Sequence, residues 1–293
     1  MRSPWLTTGF VYWGYGRDQQ STTPGSVPFN MREQKESPSG ERGIVVLMAG
    51  GPLGWSVVNG LIERVGPVTV IEEDPESKRD IIKRRLRLAG PVATAGQIAF
   101  GVWLRLFARR AQRRIDEIRA LHGLNPAPVT VGDVHRVATL NSDEARQLLM
   151  RLKPKVVAVY GTRLLSRKTL GAVDAPFINY HAGINPKYRG QHPAYWALAA
   201  GDAANAGVTV HLVDAGVDTG DVLYQERVSF APEDTIATYQ ALQMATGIPL
   251  LAQAIEDALM GRLTAVSVDL PSQNFLPPTL WRYLWTGLTK GVW

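Results

Sequence analysis

A chain of 293 residues with 45% apolar and 20% charged residues can bury a full core, as one large domain or two small ones. The absence of cysteine excludes disulfides, thiolate metal sites and a cysteine nucleophile. The net charge of +6 is concentrated in residues 78–120, where twelve Lys/Arg face three acids, so the remainder is slightly acidic and general nucleic-acid binding does not follow from the total.

In chain order, residues 1–42 begin with an aromatic patch (Trp5 to Tyr15) and continue as "QQSTTPGSVPFNMREQKESPSGERG". That segment has neither helical nor strand periodicity and predicts a disordered lead, with Met31 as a second candidate initiator. The first twenty residues lack the uninterrupted apolar run of a secretory leader. No stretch reaches the roughly 18 apolar residues of a membrane span. The expectation is a cytoplasmic protein.

"GIVVLMAGG" (43–51) and "PVTVIEED" (67–74) are short β-branched runs that predict buried strands, with a helix over 52–66 closed by Gly66. This order is the first half of an α/β sheet. Residues 78–125 then break the rhythm with two helical stretches split by Pro91. The second carries Ile98, Val102 and Leu106 at helical spacing, with Trp103 and Phe107 beside them and arginines behind. The sheet resumes with strands at 134–140, 155–161, 177–181 and 207–214, and an edge strand at 221–230. A capped helix is predicted at 141–154, with Asn141 or Ser142 as N-cap, and a long helix at 233–260.

Three polar positions stand out: Asn179 and His181 at the end of one strand, and Asp218 in the loop after another. Ligands gather at the carboxyl ends of strands in open α/β sheets, so these residues can converge. An amide and an imidazolium can stabilise an oxyanion, and a carboxylate can hold the imidazole charged. The same residues also suit ordinary turn and surface roles. The loop "AGGPLGWS" (49–56) opens a helix, and the backbone at Gly50 and Gly51 could take a phosphate or serve only as a turn.

"INYHAGINPKYRG", "YWALAAGD" and "GVTVHLVDAGVDTGDVL" resemble the folate-dependent formyltransferase family, which includes glycinamide ribonucleotide, methionyl-tRNA and sugar-nucleotide formyltransferases. The resemblance runs from about Val156 to Val228, and more weakly back to Gly43. It implies a Rossmann-like domain over 43–265, a mostly parallel sheet flanked by helices with a helical insertion at about 78–125, followed by a short C-terminal extension at 266–293. It implies formyl transfer from 10-formyltetrahydrofolate as co-substrate, without a metal, to a primary amine. Asn179, His181 and Asp218 fall on the family's catalytic Asn, His and Asp, and His211 resembles a supporting His. Arg163, Leu164, Leu165 and Asp214 fall where the family holds the pterin. Arg189 and Gly190 border the pocket as candidate substrate-binding residues, with structural support weighed slightly above ligand contact for Arg189.

The family's glycinamide ribonucleotide enzymes hold the substrate phosphate with a Gly-Ser-Asn loop, which Pro52, Leu53 and Gly54 replace here. Only 63 residues follow position 230, which weighs against the extra domain of a tRNA enzyme. The expected acceptor is therefore a small, phosphorylated or nucleotide-linked amine, with tRNA disfavoured. Glycinamide ribonucleotide formylation and 10-formyltetrahydrofolate hydrolysis are the alternatives. The basic insertion at 78–120 suggests a homodimer or peripheral membrane contact.

Overall fold

A computed structural model describes residues 42–129 and 133–293. The expected lead falls outside the described residues except for Arg42, whose guanidinium pairs with Glu256 at 2.6 Å. The pattern that predicts strands gives β1 (Ile44–Met48), β2 (Thr69–Glu73), β3 (Val134–Val137), β4 (Val156–Tyr160), β5 (Phe177–His181), β7 (Gly207–Leu212) and β8 (Val222–Arg227), with a two-residue β6 (Arg189–Gly190) between. They form a seven-stranded sheet in the order β3-β2-β1-β4-β5-β7-β8. The pairs from β3 to β5 are parallel, and β7 is antiparallel to both neighbours.

Alternation along the central strands separates two cores. Val46, Met48, Ala158, Ile178 and Tyr180 face α1 (Gly51–Val65) and α7 (Tyr239–Leu259). Val45, Leu47, Val157, Val159 and Phe177 face α4 (Asp143–Leu152). Ser142 caps α4 by accepting from Ala145 N, and the short α5 (Arg167–Leu170) closes this layer. On the second face Phe177 is followed at alternate positions by Asn179 and His181, so the apolar layer gives way to a polar pocket.

The insertion is α2 (Lys78–Leu106), broken at Gly90 (φ 77) before Pro91, and α3 (Ala108–His122). Thr94, Gly96, Gln97 and Phe100 face inward, while Val102 and Leu106 face out. The C-terminal residues supply β9 (Asn274–Phe275) and α8 (Leu280–Lys290). β9 pairs with β6, and α8 packs along α2. The small α6 (Pro193–Ala199) joins them through a third apolar cluster containing Tyr195, Tyr239 and Tyr283. Residues 266–293 therefore pack on the body rather than trailing from it.

Candidate active site

The site lies on the face of β5 and β7. Asn179 is in register with His211, and His181 with Thr209. Period-2 alternation puts all four on one side of the sheet, opposite Ile178, Tyr180, Val208 and Val210. Because β7 runs antiparallel, its exit lies beside the start of β5, where Val213 N donates to Phe177 O at 2.8 Å. The expectation of two carboxyl ends meeting does not describe this geometry. Instead the loop from Asp214 to Gly220 returns over the sheet face and carries Asp218 back to the polar pair.

Asp218 sits in the left-handed region (φ 50), which carboxamide and carboxylate residues tolerate better than others. Its Oδ2 is 3.4 Å from His181 Nδ1 and accepts from Gly190 N at 3.3 Å. Its Oδ1 is 3.4 Å from Asn179 Nδ2 and 3.6 Å from His211 Nε2. Asn179 Nδ2 is also 3.0 Å from His211 Nε2, while His211 Nδ1 lies 2.7 Å from the Leu212 carbonyl. A proton on Nδ1 satisfies that carbonyl and leaves Nε2 to accept from the amide.

His181 is almost fully buried, and its Nε2 lies 3.1 Å from the Tyr188 carbonyl. Both ring nitrogens thus face oxygen acceptors. Burial nevertheless holds His181 below the ordinary imidazole value; Asp218 opposes that shift without overcoming it, and His211 adds to it. Burial thus favours the neutral ring, and Asp218 favours the charged one. For Asp218 burial alone would raise the carboxyl, but His181, His211 and the Gly190 N–H outweigh it and hold the group well below the usual carboxylate range. Asp218 and His181 therefore form a coupled pair in which an ionised carboxylate favours a proton on the imidazole.

The loop after His181 is tied down from below. Thr209 Oγ1 donates to Gly183 O at 2.6 Å, Gln225 Nε2 to Asn185 O at 2.6 Å, and Gln243 Nε2 to Ala182 O at 2.7 Å. The Asn185–Pro186 peptide is cis. A Cβ on Gly183 would stand 2.7 Å from His181 Nε2 and 2.5 Å from Tyr188 O, so a side chain there collides with His181 and the loop after it. Arg189 donates to Val217 O at 2.5 Å and to Ser272 Oγ at 2.9 Å, which joins the Asp218 loop to the strand bearing Gly190. Tyr188 and Thr209 lie within the stretches that carry the family resemblance, while Gln225 and Gln243 are marked only by their polarity.

The residues expected at the pterin divide into different roles. The Arg163 side chain pairs with buried Glu73 at 2.9 Å and donates to Ala138 O at 2.7 Å, while its backbone N–H donates to Glu73 at 2.6 Å. Leu164 O accepts from Asn141 Nδ2 at 2.9 Å, and Leu165 is buried in the second core. Asp214 accepts from Gly216 N and Thr219 Oγ1 and so shapes the Asp218 loop. At the start of α1, a Cβ on Gly50 would lie 2.1 Å from Glu72 Oε1. A carboxylate already approaches that helix end, which disfavours a second anion there.

Residues 114–255 match the model of the formyl transferase family. This segment is similar to the formyl transferase family. Similar curated proteins are methionyl-tRNA formyltransferases. That of Koribacter versatilis is 36% identical over 47% of this chain and 44% of the relative. That of Pelotomaculum thermopropionicum is 38% identical over 45% and 42%, and that of Burkholderia mallei 43% over 34% and 30%. The chain spans less than half the length of these relatives. Their acceptor overturns the expectation that tRNA is disfavoured: the count of residues after position 230 was no measure of acceptor class, because the similarity lies in the transferase segment itself. Among solved structures, glycinamide ribonucleotide transformylase 1 of Symbiobacterium toebii superposes with a TM-score of 0.50 at 18% identity, covering 78% of this chain and 96% of that one. A Mycobacterium tuberculosis protein described as a candidate sugar N-formyltransferase gives 0.50 at 16% identity, covering 80% and 74%. The chain shares their fold.

Proposed function

We propose that this chain transfers a formyl group from 10-formyltetrahydrofolate to a primary amine, with Asn179, His181 and Asp218 as the catalytic groups. The observation that carries this reading is the convergence of an amide donor, a buried imidazole and a carboxylate, with Asp218 3.4 Å from both Asn179 and His181. In the reaction, the amine nitrogen bonds to the formyl carbon and the carbonyl oxygen becomes negative. Asn179 Nδ2 can turn from His211 to that oxygen, a stabilisation that operates only as charge develops. The proton lost by the amine passes to the His181–Asp218 pair, where Tyr188 O and Asp218 Oδ2 hold an imidazolium from both sides. Collapse breaks the bond from the formyl carbon to the folate nitrogen, which receives that proton.

His211 positions the amide, and Arg163 and Asp214 position the loops expected to border the pterin. The names of the curated relatives support the α-amine of an aminoacyl-tRNA as an acceptor class to be tried beside amino sugars and glycinamide ribonucleotide. The test is tetrahydrofolate release from 10-formyltetrahydrofolate with a panel of these amines, methionyl-tRNA included. Release that depends on one amine, with formylated product, supports transfer. Equal formate release without any amine would replace transfer by hydrolysis.

A further inference from the structure

The outer faces of α2 and α8 carry apolar side chains that are largely exposed in the described structure. Trp281, Trp285 and Leu288 share one face of α8 at i, i+4 and i+7 spacing, and are 52%, 63% and 77% exposed. The opposite face, Tyr283, Thr286 and Gly287, is buried. Two contacts fix the pairing with α2: the Trp281 ring lies over Gly96, 2.4 Å from where a Cβ would stand, and Tyr283 is 5.1 Å from Phe100. Val92, Val102 and Leu106 line the outer flank of the same helix, and Val92 and Leu106 are 72% and 73% exposed.

The flanking charge is basic up to Arg113, beyond which Asp116 and Glu117 follow on α3. Residues 91–113 and 274–293 contain Arg105, Arg109, Arg110, Arg113, Arg282 and Lys290 and no acid. Where α2 turns into α3, Leu106, Phe107, Arg109, Arg110 and Arg113 line a shallow cavity of about 540 Å³. No ion pair among the described residues engages Arg109, Arg110 or Arg113.

The geometry points to an anionic lipid bilayer as the partner of this face: Trp281, Trp285, Leu288, Val92 and Leu106 enter the headgroup boundary, and Arg109, Arg110 and Arg113 hold lipid phosphates. Tryptophan and arginine around an aliphatic face suit the interfacial depth of a membrane. No helix among the described residues is long and apolar enough to cross one, so the contact is with the surface. A two-fold dimer through this face would set its arginines against their own copies. A nucleic acid would engage the arginines but leave Leu288, Val92 and Leu106 unmatched.

The experiment is co-sedimentation of the full chain with vesicles of phosphatidylcholine alone or with a quarter phosphatidylglycerol, at low and high salt. Binding is expected only to the anionic vesicles, with a blue shift of tryptophan emission. Trp281→Glu/Trp285→Glu should abolish it, and Arg109→Gln/Arg110→Gln/Arg113→Gln should weaken it on the order of 100-fold. Far-ultraviolet circular dichroism of each variant confirms its fold. A chain that stays in the supernatant with both vesicles overturns the proposal. So does a dimer that dissociates in the Trp281→Glu/Trp285→Glu variant, or a duplex RNA that displaces no vesicle yet needs all three arginines. None of these readouts requires formyl transfer.

Discussion

Asn179 and His211 face each other across the antiparallel β5–β7 pair, with the amide nitrogen 3.0 Å from the imidazole Nε2. The imidazole cannot rotate freely, because its Nδ1 is held by the Leu212 carbonyl at 2.7 Å. His211 therefore aims the Asn179 amide. His211→Phe should lower kcat for formyl transfer by about tenfold or more while leaving the melting temperature within a few degrees, since one oriented donor in such a site is worth ~10²–10³ in rate. His211→Gln, which keeps an acceptor, should recover part of the loss. Equal kcat in all three proteins would remove His211 from the site.

Gly190 binds Asp218 through its N–H, and its backbone (φ 86) passes so close to β9 that a Cβ would lie 2.2 Å from Asn274 Oδ1 and 2.4 Å from Phe275 O. Gly190→Ala must therefore push β6 from β9 and Asp218 from His181. The expected result is a loss of activity larger than the loss of stability. A fully active Gly190→Ala protein would show that this contact does not position the carboxylate.

Much of this was legible in the sequence, and the failures have physical causes. The β-branched runs at 44–48 and 156–160 are buried on both faces, so local composition sufficed to find them. The direction of β7 is not encoded in its own alternation, and so the route of the Asp218 loop over the sheet face was not legible. On α2 the visible apolar stripe, Val102 and Leu106, faces outward, whereas the buried face carries Thr94 and Gln97. Gln97 is buried because it donates to Pro277 O at 3.1 Å, a partner 180 residues away that no window of sequence reveals. Leu165 illustrates the same limit: the backbone near a strand end suits a ligand, but this side chain belongs to the core.

Glu73 shows how the site is braced. Its buried carboxylate accepts from Arg163 N, Arg163 Nε and Leu140 N, joining the ends of β2, β3 and β4. Glu73→Ala strands these donors and should cost about 2–4 kcal/mol. Chemical denaturation would measure it. A loss below about 0.5 kcal/mol would mean that water or another acceptor replaces the carboxylate.

His192 supplies a pH dependence. Burial, with Arg85 adding to it, pushes its imidazole down from 6.5 to about 4. The unfolded chain binds the extra proton between those values and the folded one does not. Stability should therefore be fully present above about pH 6.5 and fall on acidification toward about pH 4, with a slope approaching 1.4 kcal/mol per pH unit for one proton, roughly the free energy of one pKa unit. His181, also held low, steepens the same limb. His192→Asn tolerates the left-handed backbone (φ 54) and should flatten it. An unchanged slope in His192→Asn would place the titration elsewhere.

The central claim rests on three side chains acting on one formyl group. Its most direct test is single-turnover transfer to the best amine by wild type, Asn179→Ala, His181→Ala and Asp218→Ala, each verified as folded. The account predicts formylated product from the wild type and a fall in rate on the order of 10²–10³ or more in every variant. Near-normal turnover in His181→Ala would contradict it.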